Sequence, residues 1–129
     1  MKLLLDTHIW LRSRRDPKLL GRRVLAELEN ESNELWLSPV SSWEALLLHR
    51  RGRIVLHSDP IEWIRQMVAG FREAPLTDEV VVTAEALPLL NPDPADRFLA
   101  ATAKVMKLTL VTADRKLLGL GDIATLANR

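Results

Sequence analysis

Four acidic residues fall where a hydrolytic site would need them. Asp6 directly follows Leu3-Leu4-Leu5, and Asp114 follows Leu110-Val111-Thr112-Ala113. Each leaves the carboxyl end of a short apolar run, the edge at which a parallel sheet presents side chains to a ligand. Glu44 and Asp96 fall in what read as first helical turns, after Ser41-Ser42-Trp43 and after Asp93-Pro94-Ala95. Four carboxylates meeting at one edge repel, and at least one pKa rises unless a cation intervenes. Mg²⁺ answers that need, being a hard ion that takes oxygen ligands and keeps several waters. One or two such ions activate a water and stabilise the leaving oxygen of a phosphodiester. They also make nucleic acid approachable, which a bare acidic site would repel.

Each acid also has a plainer reading. Ser41-x-x-Glu44 matches a capping box. Asp93-Pro94-x-Asp96 has the same local grammar, and Asp59-Pro60-x-Glu62 repeats it where no catalytic role is expected. Such helix-start acids contribute about 1 kcal/mol each through caps and the helix dipole. Taken singly, Glu44 and Asp96 are caps before they are ligands. Asp6 differs, because no cap is expected directly after an apolar strand. Asp114 is intermediate, since it can cap a short helix after it. The two roles are compatible on one residue.

The elements that would position these acids follow from hydrophobic pattern. Leu3-Leu4-Leu5 reads as a buried strand. Asp16-Pro17 offers an N-cap with Pro at the first helical position, and Leu20, Val24 and Leu28, with Leu25 beside them, give an amphipathic helix. Glu34 to Ser38 reads as a second strand, and Ser41 opens a helix through Leu48 that Gly52 stops. Ile54-Val55-Leu56 is too short to assign. Asp59 starts a helix with Ile61, Ile64, Val68 and Phe71 on one face, bracketed by Gly70 and Pro75. Ala74-Pro75-Leu76 admits a short strand, and Thr77 or Asp78 caps a helix ended by Pro88. A turn at Asn91-Pro92-Asp93-Pro94 leads into a small-residue helix from Ala95 to Met106. Leu108 to Thr112 is the clearest strand, followed by a helical turn at Arg115 to Leu118 and a last strand at Ile123 to Leu126. Short apolar strands alternating with helices predict an α/β fold, a parallel sheet covered by helices on both faces.

Composition fits that architecture. The 129 residues are 47% hydrophobic and 27% charged, which excludes a disordered chain and predicts one domain, residues 1–129. Eighteen Lys and Arg against seventeen Asp and Glu leave a formal charge of +1, so this is no polybasic arm. The absence of cysteine excludes disulfides, cysteine-ligated zinc and thiol catalysis, and fits the cytoplasm. Asp6 cuts the apolar start too early for a signal peptide, so no leader is expected, and no apolar run approaches the roughly 20 residues that span a bilayer.

At the level of whole motifs, the chain resembles the PIN-domain ribonucleases, specifically the VapC-like toxin half of a type II toxin–antitoxin pair. The resemblance rests on Leu4-Leu5-Asp6-Thr7-His8, on Ser41-Ser42-Trp43-Glu44 before His49-Arg50-Arg51-Gly52-Arg53, on Asp93-Pro94-Ala95-Asp96-Arg97 with Ala100 to Ala103, and on Leu110-Val111-Thr112-Ala113-Asp114. Order and spacing together cover nearly the whole chain. The resemblance implies an α/β/α sandwich with a mostly parallel central sheet and an Mg²⁺- or Mn²⁺-dependent acidic centre. Carried over by position, Asp6, Glu44, Asp96 and Asp114 match the family's metal-binding, catalytic acids. Asp93 is the nearby alternative to Asp96 and fits an N-cap, and Thr112 would orient Asp114 or a metal-bound water. The implied reaction is endonucleolytic hydrolysis of RNA by a metal-activated water. The implied partners are a cognate antitoxin that blocks the site and a second copy of the chain in a homodimer. The Arg-rich stretch Arg12-Ser13-Arg14-Arg15 departs from the pattern, many relatives being more apolar there.

Two competing functions stay in view. One is a non-catalytic module that keeps the fold and binds RNA or protein, against which the intact acidic set argues. The other is an aspartyl-phosphate enzyme using Asp6 as nucleophile, which would want a second acid where His8 stands. Phosphate contacts are expected from Arg50, Arg51 and Arg53, which extend from the helix bearing Glu44, ahead of Arg12, Arg14, Arg15, Arg22 and Arg23. His8, His49 and His57 match no zinc spacing. His8 is expected to point away from Asp6 or pack locally, and Arg97 to serve structure by pairing with a carboxylate. Trp10, Trp36, Trp43 and Trp63 are expected in packing rather than as base platforms.

Overall fold

A computed structural model describes residues 1–89 and 93–129, so Asn91 and Pro92 of the expected turn lie outside the described residues. In chain order the elements begin with strand β1 (Lys2–Leu5), helix α1 (Thr7–Arg15), a 3-10 turn (Pro17–Leu19), α2 (Arg22–Glu29), β2 (Glu34–Leu37) and α3 (Pro39–Arg50). They continue with α4 (Pro60–Val68), β3 (Arg72–Glu73), α5 (Asp78–Ala86), α6 (Pro94–Met106), β4 (Thr109–Thr112), α7 (Arg115–Leu118) and β5 (Thr125–Ala127).

The five strands form one parallel sheet in the order β3-β2-β1-β4-β5. Side chains alternate across it, as a period of two requires. Leu3 and Leu5 of the central strand, with Val111 of β4, enter a core with Ile9, Trp10, Val24, Ala45 and Trp63. Leu4 and Leu110 enter the opposite core with Val80, Ala84, Leu99, Ala100 and Leu117. Helices α1 to α4 therefore cover one face, and α5 to α7 cover the other. The sandwich follows from right-handed crossovers, since the chain walks outward from β1 to β3 and then returns across β1 to β4. The order reverses between β1 and β4, and the crevice beyond their carboxyl ends is where such sheets bind ligands. Among the described residues no helix is long and apolar enough to cross a membrane.

Several expected boundaries shift. Helix α1 was not expected, because its apolar residues Ile9, Trp10 and Leu11 form a block rather than a helical stripe, and all three are buried. Asp16-Pro17 starts only the 3-10 turn, without a side-chain cap, and α2 begins after Gly21. Helix α3 begins after Ser38, whose hydroxyl accepts the Val40 amide at 3.1 Å with Pro39 in the first turn. Ser41-x-x-Glu44 is thus no capping box, and Glu44 lies in the second turn. Trp63, not Ile61, is the buried residue of α4, and Ile61 is 60% exposed. Strand β3 falls just before Ala74-Pro75-Leu76, and β5 starts two residues after Ile123. Asp59 and Thr77 cap α4 and α5 as expected.

Candidate active site

The crevice between β1 and β4 is lined by acids from five chain positions. Asp6, Glu44, Asp93, Asp96 and Asp114 surround one cleft of about 380 Å³, with His8 and Arg12 on its wall.

Asp6 continues β1, donating its own amide to the Val111 carbonyl at 3.0 Å, and its side chain caps α1. Oδ1 accepts the Ile9 amide at 2.9 Å, and Oδ2 accepts the Thr112 hydroxyl. The expectation that no cap explains Asp6 is therefore corrected: it is both cap and cleft residue. Its side chain is nearly buried, and burial pushes its pKa up, against the Thr112 and Ile9 hydrogen bonds that pull it down.

Glu44 reaches the cleft from the second turn of α3. The Thr7 hydroxyl donates to its Oε1, and Thr7 also lies 2.9 Å from the buried Ser41 hydroxyl. Burial raises the Glu44 pKa, and the charges of Asp93 and Asp6 add to that. Asp96 sits in the first turn of α6, behind the cap Asp93, whose Oδ1 accepts the Ala95 amide at 3.0 Å. Partial burial, then the negative charges of Asp93, Asp114, Glu44 and Asp6, push Asp96 up to about 7. Asp114 caps α7, accepting the Lys116 amide at 2.8 Å, while its own amide donates to the Thr112 hydroxyl oxygen at 3.0 Å. Thr112 therefore links the two strand-end acids, and its hydroxyl proton goes to Asp6 rather than to Asp114.

The structure also places residues that pattern reading missed or misplaced. His8 is exposed at the cleft mouth instead of pointing away, and Arg12 stands one helical turn further along α1. Thr7, which holds Glu44, carried no signal until α1 was known to start there. Arg97 donates to the carbonyls of Ala84 (2.7 Å) and Leu89 (2.6 Å), so its role is structural but its partners are not carboxylates. Arg50, Arg51 and Arg53 are exposed, and none lines the acidic cleft. Trp10 and Trp63 pack edge to face at 6.4 Å in the core, while Trp43 is 51% exposed.

The donor set fits a hard divalent cation: carboxylate oxygens, with burial and neighbouring negative charges that push Glu44 and Asp96 up. As the side chains stand, no three His, Asp or Glu among the described residues converge closely enough to hold an ion by themselves.

Comparison with known proteins places this geometry. The model of the PIN domain family matches residues 3–122. Ribonuclease VapC22 of Mycobacterium tuberculosis is 34% identical over 116 residues, which are 89% of this chain and 88% of that protein. The fold is shared with the crystal structure of VapBC2 from Rickettsia felis bound to a fragment of promoter DNA, with a TM-score of 0.75, 14% identity and 100% of both chains covered. It is shared equally with DNA-bound VapBC from Salmonella typhimurium, with a TM-score of 0.74, 13% identity and 98% of both chains covered. The family match takes in every acid of the cleft, from Asp6 at its first strand to Asp114 near its last, and the chain belongs to the PIN-domain family.

Proposed function

We propose that the protein is a divalent-metal-dependent endoribonuclease, the toxin of a type II toxin–antitoxin pair, and that the acidic cleft is its active site. The observation that carries this reading is that Asp6, Glu44, Asp96 and Asp114 line one cleft at the crevice where strand order reverses. The likeness to a ribonuclease over most of both chains supports the substrate class. The sheet draws strands from Lys2 to Ala127, which supports one domain over residues 1–129.

Asp6, Glu44, Asp96 and Asp114 would hold Mg²⁺ or Mn²⁺, with Asp93 beside Asp96. Bound there, the cation supplies positive charge that lowers the pKa of a water and neutralises the phosphodiester. The chain's own residues fix the donors. Thr112 and the Ile9 amide hold Asp6, Thr7 holds Glu44, and the α6 and α7 starts hold Asp93 and Asp114. Asp96, pushed up to about 7 by burial and by the neighbouring acids, is a carboxyl that a bound cation would return to its charged form. Arg12 places a cation at the wall where a phosphate would approach.

The antitoxin partner is supported by a solved toxin–antitoxin complex from Klebsiella pneumoniae that shares the fold. A homodimer and a cytoplasmic location complete the proposal.

The test is cleavage of purified transfer and ribosomal RNA by the free protein, with Mn²⁺ or Mg²⁺ and with EDTA. Discrete fragments that require metal and vanish in Asp6→Asn and Asp96→Asn are expected. Full activity in both variants would sink the site assignment. Neither cleavage nor Mn²⁺ binding would favour the non-catalytic module.

A further inference from the structure

A second cavity, about 870 Å³, opens beside the acidic cleft and shares His8 and Arg12 with it. Its floor is apolar, made by Leu11, Leu48, Ile54, Trp63 and Met67. Its walls are basic. On α1, His8, Arg12 and Arg15 are spaced four and three residues apart, so they share one helix face. At 1.5 Å per residue they span roughly 10 Å of the helix axis. Asp6 caps this helix, so the basic stripe starts at the acidic cleft and leads away from it. Arg53 and His57, from the segment after α3, also line the cavity.

Arg14, in the same wall, is tied down: it donates to the Ala69 carbonyl and stacks 5.2 Å from the Phe71 ring centre. Among the described residues Arg12, Arg15 and Arg53 form no ion pair with a carboxylate, and the one carboxylate lining the groove, Asp16, lies 3.9 Å from Lys18. Arg12 faces the acids of the cleft, whereas Arg15 and Arg53 stand along the same groove beyond them, so a chain with net charge +1 carries arginine charge from its acidic centre outward. Arginine walls beside an apolar floor suit a single strand, with phosphates on the guanidiniums and bases over the floor.

We infer that this groove seats the single-stranded RNA flanking the scissile bond, with Arg15 and Arg53 gripping its phosphates. The inference rests on the ribonuclease reading of the neighbouring cleft and assigns that site its substrate path. Of the three arginines expected after Glu44, it retains Arg53 and transfers the main contact to α1.

The experiment is fluorescence-anisotropy binding of a labelled, mixed-sequence RNA of roughly 20 nucleotides, in the Asp6→Asn background so that the RNA stays uncut. Arg15→Ala with Arg53→Ala is expected to weaken binding about tenfold at low salt and to flatten the salt slope by about 1.4, as for two phosphate contacts. Arg22→Ala with Arg23→Ala, the same charge loss on α2, is expected to change affinity less than about twofold. Equal weakening by both pairs, or none by the groove pair, overturns the assignment. So does equally tight binding of polyglutamate with the same loss in the groove pair, which would make the groove a seat for an acidic protein segment. Selective loss of RNA binding in a protein that cuts no RNA keeps the groove and removes the nuclease reading. Cleavage by the wild type, with RNA bound undiminished by the groove pair, removes the groove alone.

Discussion

Both oxygens of the Asp6 carboxylate are already engaged by the protein, one by the Ile9 amide and one by the Thr112 hydroxyl. Each oxygen has two lone pairs, so a cation is met by a carboxylate whose orientation is preset. Thr112→Val keeps the shape but strands Asp6 Oδ2 and the Asp114 amide together. It is expected to lower stability by about 2 kcal/mol and Mn²⁺ affinity at least about tenfold, with Thr112→Ser restoring most of both. Denaturant unfolding and Mn²⁺ titration check this, and an unchanged Mn²⁺ affinity would deny Thr112 a positioning role. The strand-end acids were legible because Leu5-Asp6 and the run ending Thr112-Ala113-Asp114 mark where two strands finish. The capping role of Asp6 was not, because it depends on α1, whose buried Ile9-Trp10-Leu11 block shows no helical period. Thr112 was expected to orient Asp114 or a metal-bound water, but its hydroxyl donates to Asp6, 106 positions away, a pairing no local pattern contains.

Among the elements, the start of α2 is pinned by the last residues of the chain. The Gly21 amide donates to Asn128 Oδ1 at 2.7 Å, and a Cβ on Gly21 would stand 2.1 Å from the Arg129 carbonyl oxygen. Its φ of −66° suits any residue, so space rather than conformation requires glycine. The Asn128 amide in turn donates to the Thr112 carbonyl at 2.9 Å, which ties this seam to the strand that orients Asp6. Gly21→Ala is expected to destabilise by about 1 kcal/mol, readable in a denaturant melt; an unshifted midpoint would show that the seam yields without cost. Glycine at this place reads in sequence as an ordinary helix start, since its constraint comes from Arg129. The α3 start was obscured differently. Ser41-x-x-Glu44 fits a capping box better than Ser38-Pro39 does, yet the Pro in the first turn decided it. That shift freed Glu44 from capping and turned it toward Thr7.

Across the whole molecule, the alternation of strands and helices made the layered parallel sheet legible, and the edge strands drifted because they are only two and three residues long. The same topology collects five carboxyls in one cleft and buries three of them in whole or in part, and that burial, joined by neighbouring charge at Glu44 and Asp96, sets a pH dependence. Asp6, Glu44 and Asp96 have pKa values raised by folding, so the folded chain holds protons that the unfolded chain has released. Stability from these groups is therefore greatest below their ordinary values and declines as pH rises toward about 7, where Asp96 ionises. In EDTA the protein is expected to melt lower at pH 8 than at pH 5, and Mn²⁺ is expected to raise the melting temperature more at pH 8. Asp96→Asn should narrow the gap. A melting temperature that rises with pH in EDTA would contradict the buried-acid account.

The reversal of strand order has a further consequence for how such a protein is made. Asp6 is synthesised 106 positions ahead of Thr112, and Asp114 follows two residues after that. β1 must wait for β4 to pair along its second edge, and Asp6 waits with it for the hydroxyl that orients it. A chain grown only as far as α6 therefore carries the first acid without the geometry that arms it. The acidic centre is therefore armed only once β4 has been made and has paired with β1, whatever else of the chain is already in place.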